Sequence, residues 1–173
     1  MITNPQKELA RWVMEYALKN GCQAARVALY NNSNTSFDIR DMKIDRLQQA
    51  SENGMSIHLF TDGRYGSFST NRLDRKELES FIRNGIDSTR YLADKARTLP
   101  DPALYYKGGG ADLQLYDAAF ESVHPDDKVG LAMKVCDEIM GKDERIISAG
   151  SSYNDGDNFR YMVASNGFEG EAS

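Results

Sequence analysis

The side chains best suited to metal or nucleophilic chemistry are few and widely spaced in this sequence. The 173 residues include two histidines, His58 and His124, and two cysteines, Cys22 and Cys136. A catalytic zinc usually takes three protein ligands, and HExxH peptidases place two histidines on one helix face with a glutamate between them. Neither histidine has a glutamate at that offset, and the two fall in separate predicted elements. The sequence therefore predicts neither a catalytic residue nor a metal ligand in this chain.

The other motifs that could carry chemistry are incomplete. There is no Gly-x-Ser-x-Gly elbow, and Cys136 falls on the apolar face of a predicted helix, which indicates a core position. The glycine run at 108–110 lacks the Gly-Lys-Ser/Thr of a phosphate-binding loop, so we interpret it as a linker. Residues 154–158 lack the twelfth-position glutamate of a calcium loop, so we interpret them as a hairpin turn.

One charge pattern repeats at a regular interval. Basic residues recur every seven positions along a predicted helix at Lys76, Arg83, Arg90 and Arg97. They form a candidate partner-contact stripe. Asp87 and Asp94 precede Arg90 and Arg97 by three residues, which is the spacing of ion pairs on a helix surface. A solvated face with internally compensated charge is therefore the main alternative.

The overall charge and the hydropathy argue against nucleic acid and membrane as partners of this chain. The chain carries 21 Lys and Arg against 26 Asp and Glu, a net charge of -5, which opposes general affinity for nucleic acid. Direct DNA binding through the basic stripe is only a third, weaker hypothesis. No segment is apolar over the roughly 18 residues that span a bilayer, and the polar amino terminus lacks a signal-peptide pattern. We expect no membrane partner and a cytoplasmic location.

Hydrophobic periodicity predicts the elements that position these residues. Residues 5–20 show apolar residues at helical spacing, with Asn4 as the N-cap and Gly21 beyond the end. From 25 to 70 the period changes to two, which predicts five half-buried antiparallel strands. Turns are expected at 31–34, 40–43, 52–54 and Asp62-Gly63, the last being a preferred pair for a two-residue hairpin.

The second half of the chain alternates between helical and extended patterns. Asp74 and Glu77 have the spacing of a capping box and open a helix of more than twenty residues that stops before Pro100. A third helix begins at Pro125 and ends near residue 141. Strands are expected at 146–153 and 159–165, followed by a hairpin at Asn166-Gly167.

These elements predict an α+β fold, in which two helices cover one face of an antiparallel sheet and a third helix and the start of a second β-rich region follow. We divide the chain into a helix–sheet–helix core at 1–97, a linker loop at 98–124, and a portion at 125–173 that leads to a missing carboxy-terminal domain. A hairpin strand cut off after 166–167 would leave an edge with little to pair against. We therefore expect the front portion of a longer protein.

The order of the glycine turns resembles the amino-terminal domain of the TldD/PmbA family. Members of this family are described both as modulators of DNA gyrase and as metallopeptidases. The resemblance rests on the helix end and strand at 17–30, the segment at 165–170, and a family-signature turn comprising Gly54, Asp62, Gly63, Arg64 and Gly66. The overall pattern is closer to PmbA.

The resemblance implies a protease pathway. In this family one type of subunit carries a zinc HExxxH motif in its carboxy-terminal part, and the other type lacks it and acts as a partner. The motif does not occur in these residues, so the resemblance implies no cofactor in this chain, with zinc expected in the longer parent or its partner subunit. It also implies a homo- or heterodimer of family subunits and a peptide substrate for the assembled enzyme.

Two functions stay open on this basis. The chain is either the non-catalytic amino-terminal domain of a zinc metallopeptidase, shaping the chamber and subunit contacts, or a protein-interaction domain of a non-catalytic partner subunit or gyrase-modulating protein. In both cases we expect the chain to be inactive alone. An HExxxH motif and a later ligand in the downstream sequence would favour the first function.

Overall fold

The computed structural model describes residues 1–92, 97–106 and 113–173. Three α-helices and five strands account for most of the regular structure, and two short 3-10 turns lie between the second and third helices. In chain order the elements are α1 (Asn4–Lys19), β1 (Ala24–Arg40), β2 (Lys43–Thr61), β3 (Arg64–Thr70), α2 (Arg75–Thr89), the 3-10 turns Pro102–Leu104 and Ala118–Ser122, α3 (Pro125–Asp137), β4 (Gly150–Ala164) and β5 (Glu169–Ala172).

The strands form one sheet in the order β3-β2-β1-β4-β5. The β2–β3 and β4–β5 pairs are antiparallel, with Thr61 opposite Arg64 in the first and Val163 opposite Glu169 in the second. The predicted α+β class is confirmed. The described residues divide into two compact units, the first drawn from 1–31, 52–111 and 158–173 and the second from 32–51 and 112–157.

The core of the first unit shows why both of its helices lie on the same side of the sheet. Near both ends of β1 every second residue is buried, including Val27, because side chains alternate between the two faces of a strand. Val13 of α1, Ile82 of α2 and Ile57 of β2 belong to the same buried cluster as Val27. The prediction that α1 and α2 cover one face is therefore confirmed.

The predicted starts of these helices hold to within one residue. The N-cap of α1 is Thr3 rather than Asn4, and its backbone N–H donates to Gln6 Oε1 at 2.8 Å. The Asp74 carboxylate caps α2 by accepting from the backbone N–H of Lys76 at 2.9 Å. Caps of this kind satisfy N–H groups that have no partner within the helix.

The predicted length of α2 is wrong, because the helix ends at Thr89 after 15 residues. The Thr89 hydroxyl donates to the Gly85 carbonyl at 2.7 Å, a contact that competes with the backbone ladder and bends helices. Beyond the end, Leu92 is 44% exposed, so the helical spacing of apolar residues continues after the buried face has stopped. The predicted helical residues 93–96 lie outside the described residues.

Three strands, rather than five, span 24–70. The predicted turns at 31–34 and 52–54 are wrong, since β1 and β2 run through them without a break. In β1 the buried residues before and after the polar stretch, Leu29 and Phe37, keep the same parity, so one uninterrupted strand satisfies the pattern. The turn predicted at 40–43 is confirmed, and Asp41 and Met42 occupy it with φ of 49° and 62°.

The second unit has a smaller core. Ala132 and Cys136 of α3 pack with Ile39 and Ala149 in one buried cluster. The turn predicted at 154–158 is wrong, because β4 runs from Gly150 to Ala164 without interruption. At Asp155 the strand instead carries the carboxylate of a largely buried ion pair, 2.5 Å from Lys128 Nζ.

Candidate functional site

The family-signature turn is a tight hairpin between β2 and β3. Asp62 and Gly63 have φ of 52° and 72°, and both values lie in the left-handed region that a two-residue type I′ hairpin requires. Gln23 Oε1 accepts from the Asp62 backbone N–H at 2.9 Å, and the Asp62 carboxylate lies 3.4 Å from Arg90 Nε. The prediction of positive φ at Gly63 is confirmed, and the contacts give this turn a structural role.

Two other glycines of the signature allow close packing. A Cβ at Gly54 would overlap the Tyr30 hydroxyl and lie 3.0 Å from the Thr70 carbonyl, and a Cβ at Gly66 would overlap the Thr89 hydroxyl. Arg64, the remaining member, pairs with Thr61 across the hairpin. These signature residues thus build the sheet and its contact with α2.

The basic stripe does not form a single helix face. All four members are exposed, but α2 ends at Thr89, so only Lys76 and Arg83 lie on the helix. Arg83 lies 3.7 Å from Glu79, and Arg90 lies 3.0 Å from Asp87. Arg97 lies with its guanidinium 5.0 Å from the centre of the Tyr65 ring. Internal charge compensation therefore applies to Arg83 and Arg90, while Asp94 lies outside the described residues.

Three of the four histidines and cysteines have local structural roles. His124 is the N-cap of α3, with Nδ1 accepting from the Asp126 backbone N–H at 3.3 Å. Cys22 Sγ lies 3.3 Å from Thr61 Oγ1, and burial raises the pKa of its thiol. Cys136 is fully buried, as predicted, and its thiol donates to the Ala149 carbonyl at 3.4 Å. Over the described ranges, no cluster of three His, Cys, Asp or Glu side chains is placed to hold a metal ion.

His58 belongs to a polar cluster that was not predicted. Its Nδ1 lies 2.5 Å from the Tyr65 hydroxyl, and Arg26 Nη2 lies 3.3 Å and 3.4 Å from its two ring nitrogens. Burial, followed by the charge of Arg26, lowers the pKa of His58 to about 4. The imidazole is therefore neutral at pH 7, and the guanidinium carries the positive charge of the cluster.

A cleft of about 300 Å³ adjoins Arg26 in the first unit. Its walls are mostly apolar and include Leu99, Pro100, Leu104, Tyr105, Met162 and Phe168. The Tyr105 and Phe168 rings meet edge to face with their centres 4.8 Å apart, and Asn166 Nδ2 donates to the Pro100 carbonyl at 2.8 Å. These contacts fasten the segment that holds Pro100 and Tyr105 to the β4–β5 hairpin, so the described walls of the cleft support one another.

Sequence reasoning missed this cleft because its walls come from distant parts of the chain. One signal was present: Arg26 and His58 alternate with buried apolar residues on their strands, which places both on the sheet face opposite the helices. Nothing in the sequence showed that the segment around Tyr105 would cover that face.

None of the described helices has the length and apolar character that a membrane crossing needs.

The sequence-family model described as PmbA/TldA metallopeptidase domain 1 matches residues 25–89 of this chain. The crystal structure of a Bacteroides thetaiotaomicron protein described as a candidate modulator of DNA gyrase is 66% identical, with a TM-score of 0.93, and the match covers 99% of this chain and 39% of that one. No curated protein gives a significant match.

Two more distant structures share the fold. A candidate DNA gyrase modulator from Thermotoga maritima is 19% identical with a TM-score of 0.75, and the match covers 96% of this chain and 36% of that one. TldE from Thermococcus kodakarensis is 14% identical with a TM-score of 0.69, and the match covers 95% of this chain and 36% of that one. This chain thus spans less than two fifths of the length of each of the three structures. From the family model, the fold and the order of the signature turns, we conclude that the chain belongs to the PmbA/TldD family and corresponds to its first domain.

Proposed function

We propose that this chain is the amino-terminal, non-catalytic domain of a PmbA/TldD-type zinc metallopeptidase that acts on peptides. The observation that carries the proposal is the match of residues 25–89 to the first domain of that metallopeptidase family. The 66% identity over 99% of this chain to one solved structure supports it, and that structure is more than twice as long. On this proposal the rest of the parent, or its partner subunit, supplies the chemistry.

The zinc implied by the family does not fit the described residues of this chain. The Tyr65 hydroxyl contacts Nδ1 of His58, and Arg26 Nη2 lies within 3.4 Å of both ring nitrogens. A cation beside that guanidinium would be repelled. His124 lies in the other unit, where its Nδ1 caps α3. We therefore assign no zinc ligand here and derive no catalytic step from these residues.

On this proposal the role of the chain itself is structural. The rigid sheet, with α1 and α2 packed on one face, would form part of a chamber wall and hold subunits together. The exposed residues Lys76 and Arg83, which lie about two helical turns apart on α2, would contact a partner subunit of the same family through charge. The proposal also places the protein in the cytoplasm and its assembly as a homo- or heterodimer.

A second function is favoured by the names of the relatives. Two of the similar structures carry the description of a DNA gyrase modulator, one of them at 66% identity. On this alternative the chain is a protein-interaction domain of a non-catalytic subunit, and it contacts a partner protein. The net charge of -5 makes a protein a better partner than the DNA itself.

The experiment is to purify the longer parent with its partner subunit and to measure cleavage of unstructured peptides. Chelator-sensitive cleavage by the assembly supports the metallopeptidase proposal. An assembly that binds gyrase subunits but leaves every peptide intact, with zinc supplied, supports the alternative. The charge reversals Lys76→Glu and Arg83→Glu test the contact surface, with Arg46→Glu, an exposed residue of the second unit, as the matched control.

A further inference from the structure

Arg26 carries a positive charge that no described carboxylate neutralises. The ion pairs of the described ranges involve other basic residues. The described side-chain contact of Arg26 is the imidazole of His58, which is neutral at pH 7. Charged groups that leave water are usually paired with an opposite charge, so Arg26 departs from the common pattern.

The guanidinium is also incompletely hydrogen-bonded. Its Nε is buried and has no hydrogen-bond partner among the described atoms. A buried N–H without an acceptor is costly, and most such groups in folded proteins have one. A guanidinium presents its N–H groups in a fixed planar fork that matches the two oxygens of a carboxylate.

The size and the walls of the cleft limit which anions could pair with the guanidinium of Arg26. Its volume of about 300 Å³ is at the lower end of the range for small-molecule sites. Leu99, Leu104 and Met162 contribute apolar surface, and the Tyr105–Phe168 ring pair closes another wall. An inorganic anion would pair with the charge of Arg26 but would make no apolar contact with these walls. An organic acid would do both, through its carboxylate and its apolar part.

A second buried polar atom without a partner belongs to Asn166, a residue that contacts the cleft wall. Asn166 donates from Nδ2 to the carbonyl of Pro100, a residue of the cleft wall, while its Oδ1 is buried without a partner. An oxygen of this kind accepts an N–H. The carboxyl-terminal residue of a peptide offers a carboxylate and an amide N–H on the same α-carbon that carries its side chain, which can be apolar.

We propose that the Arg26 cleft is a binding site for a single carboxylate attached to an apolar group. The guanidinium of Arg26 holds the carboxylate, and the apolar part lies between Met162 and the Tyr105–Phe168 pair. A free organic acid and the carboxyl-terminal residue of a peptide share this chemistry. The site does not depend on peptidase activity in the parent protein.

The test is calorimetric titration of the 173-residue chain with hexanoate and, as the uncharged match, hexanamide. N-acetyl-leucine and N-acetyl-leucinamide form the second pair and report on a peptide terminus, and inorganic phosphate is the third probe. We expect hexanoate and N-acetyl-leucine to bind and both amides to bind at least about tenfold more weakly, because a hydrogen bond to a charged group is among the stronger ones. Tighter binding of N-acetyl-leucine than of hexanoate identifies a peptide terminus as the source.

Variants assign the binding to the cleft. Arg26→Met is expected to weaken hexanoate binding by about tenfold or more, while Arg72→Met, which removes an exposed arginine of the same unit outside the cleft, leaves it unchanged. If Arg26→Met does not fold, Arg26→Lys and Met162→Trp replace it. The lysine keeps the charge without the fork and is expected to weaken binding, whereas the tryptophan fills the cleft and is expected to abolish binding. Equal binding of hexanoate and hexanamide, phosphate binding without hexanoate binding, or full affinity in folded Arg26 and Met162 variants overturns the proposal.

Discussion

The Nδ1 atom of His58 lies 2.5 Å from the hydroxyl oxygen of Tyr65, and the guanidinium of Arg26 contacts the same imidazole. This relationship joins β1, β2 and β3 on the sheet face that α1 and α2 leave uncovered. It also holds a titratable ring in a partly buried place beside a fixed positive charge, which makes the stability of the first unit sensitive to pH.

We predict that stability falls as pH is lowered from about 6.5 to about 4. The pKa of His58 is lowered to about 4 in the fold against an ordinary value of 6.5, so over this interval the unfolded chain binds a proton that the folded chain does not. The loss should be on the order of 1–3 kcal/mol, since the ring is only partly buried. Urea unfolding at pH 7, 5.5 and 4 measures it.

The control for this pH effect is His58→Gln, which keeps a polar side chain but cannot titrate. Acidic residues add a pH dependence of their own. The informative quantity is therefore the slope of unfolding free energy against pH in the original chain minus the same slope in the His58→Gln variant. His124→Gln, at the exposed N-cap of α3 in the second unit, is the matched substitution of the other histidine. An identical slope in the His58→Gln variant would show that this ring is not the cause.

Breaking the ion pair between Lys128 and Asp155 should destabilise the second unit. The two side chains are only 12% and 10% exposed, and the Tyr153 hydroxyl donates to the same carboxylate at 2.9 Å. Lys128→Met leaves a largely buried carboxylate without its cation, which costs about 3 kcal/mol. The exposed pair Arg40–Asp45 provides the control, because Arg40→Met should cost less than about 1 kcal/mol. Equal urea midpoints for the two variants would contradict this account.

Gly63→Ala should cost about 1 kcal/mol through backbone conformation alone. The residue has φ of 72°, and a Cβ at this position would meet no atom within 4 Å, so steric overlap plays no part. Gly130→Ala in α3 is the matched change, since that glycine is equally open but its φ is not in the left-handed region. It should be neutral or stabilising, as alanine favours helices. If both variants shift the denaturation midpoint in the same direction, the turn assignment fails.

Local signals in the sequence predicted the elements whose cause is itself local. The Asp62-Gly63 hairpin and the cap at Asp74 depend on residues within a few positions of each other, and both are confirmed. The breaks at 31–34 and 52–54 were wrong because asparagine and serine favour turns only when the neighbouring strands do not hold the chain extended.

The candidate site depended on contacts that no local pattern contains. Arg26 meets His58 from 32 positions away, and the cleft adds Met162 and Phe168 from the far end of the chain. Periodicity gave the face on which Arg26 lies, but the covering segment around Tyr105 has no periodic pattern of its own. The division into core, linker and carboxy-terminal portion stays a prediction.

The most direct test of the central claim is a peptidase assay of this chain alone beside its assembled parent. Residues 1–173 are incubated with unstructured peptides and excess zinc, and the full-length parent with its partner subunit is assayed in parallel. We predict chelator-sensitive cleavage by the assembly and none by residues 1–173, because the described histidines and cysteines of this chain are held in structural contacts. Chelator-sensitive cleavage by residues 1–173 alone would contradict the assignment of a non-catalytic domain.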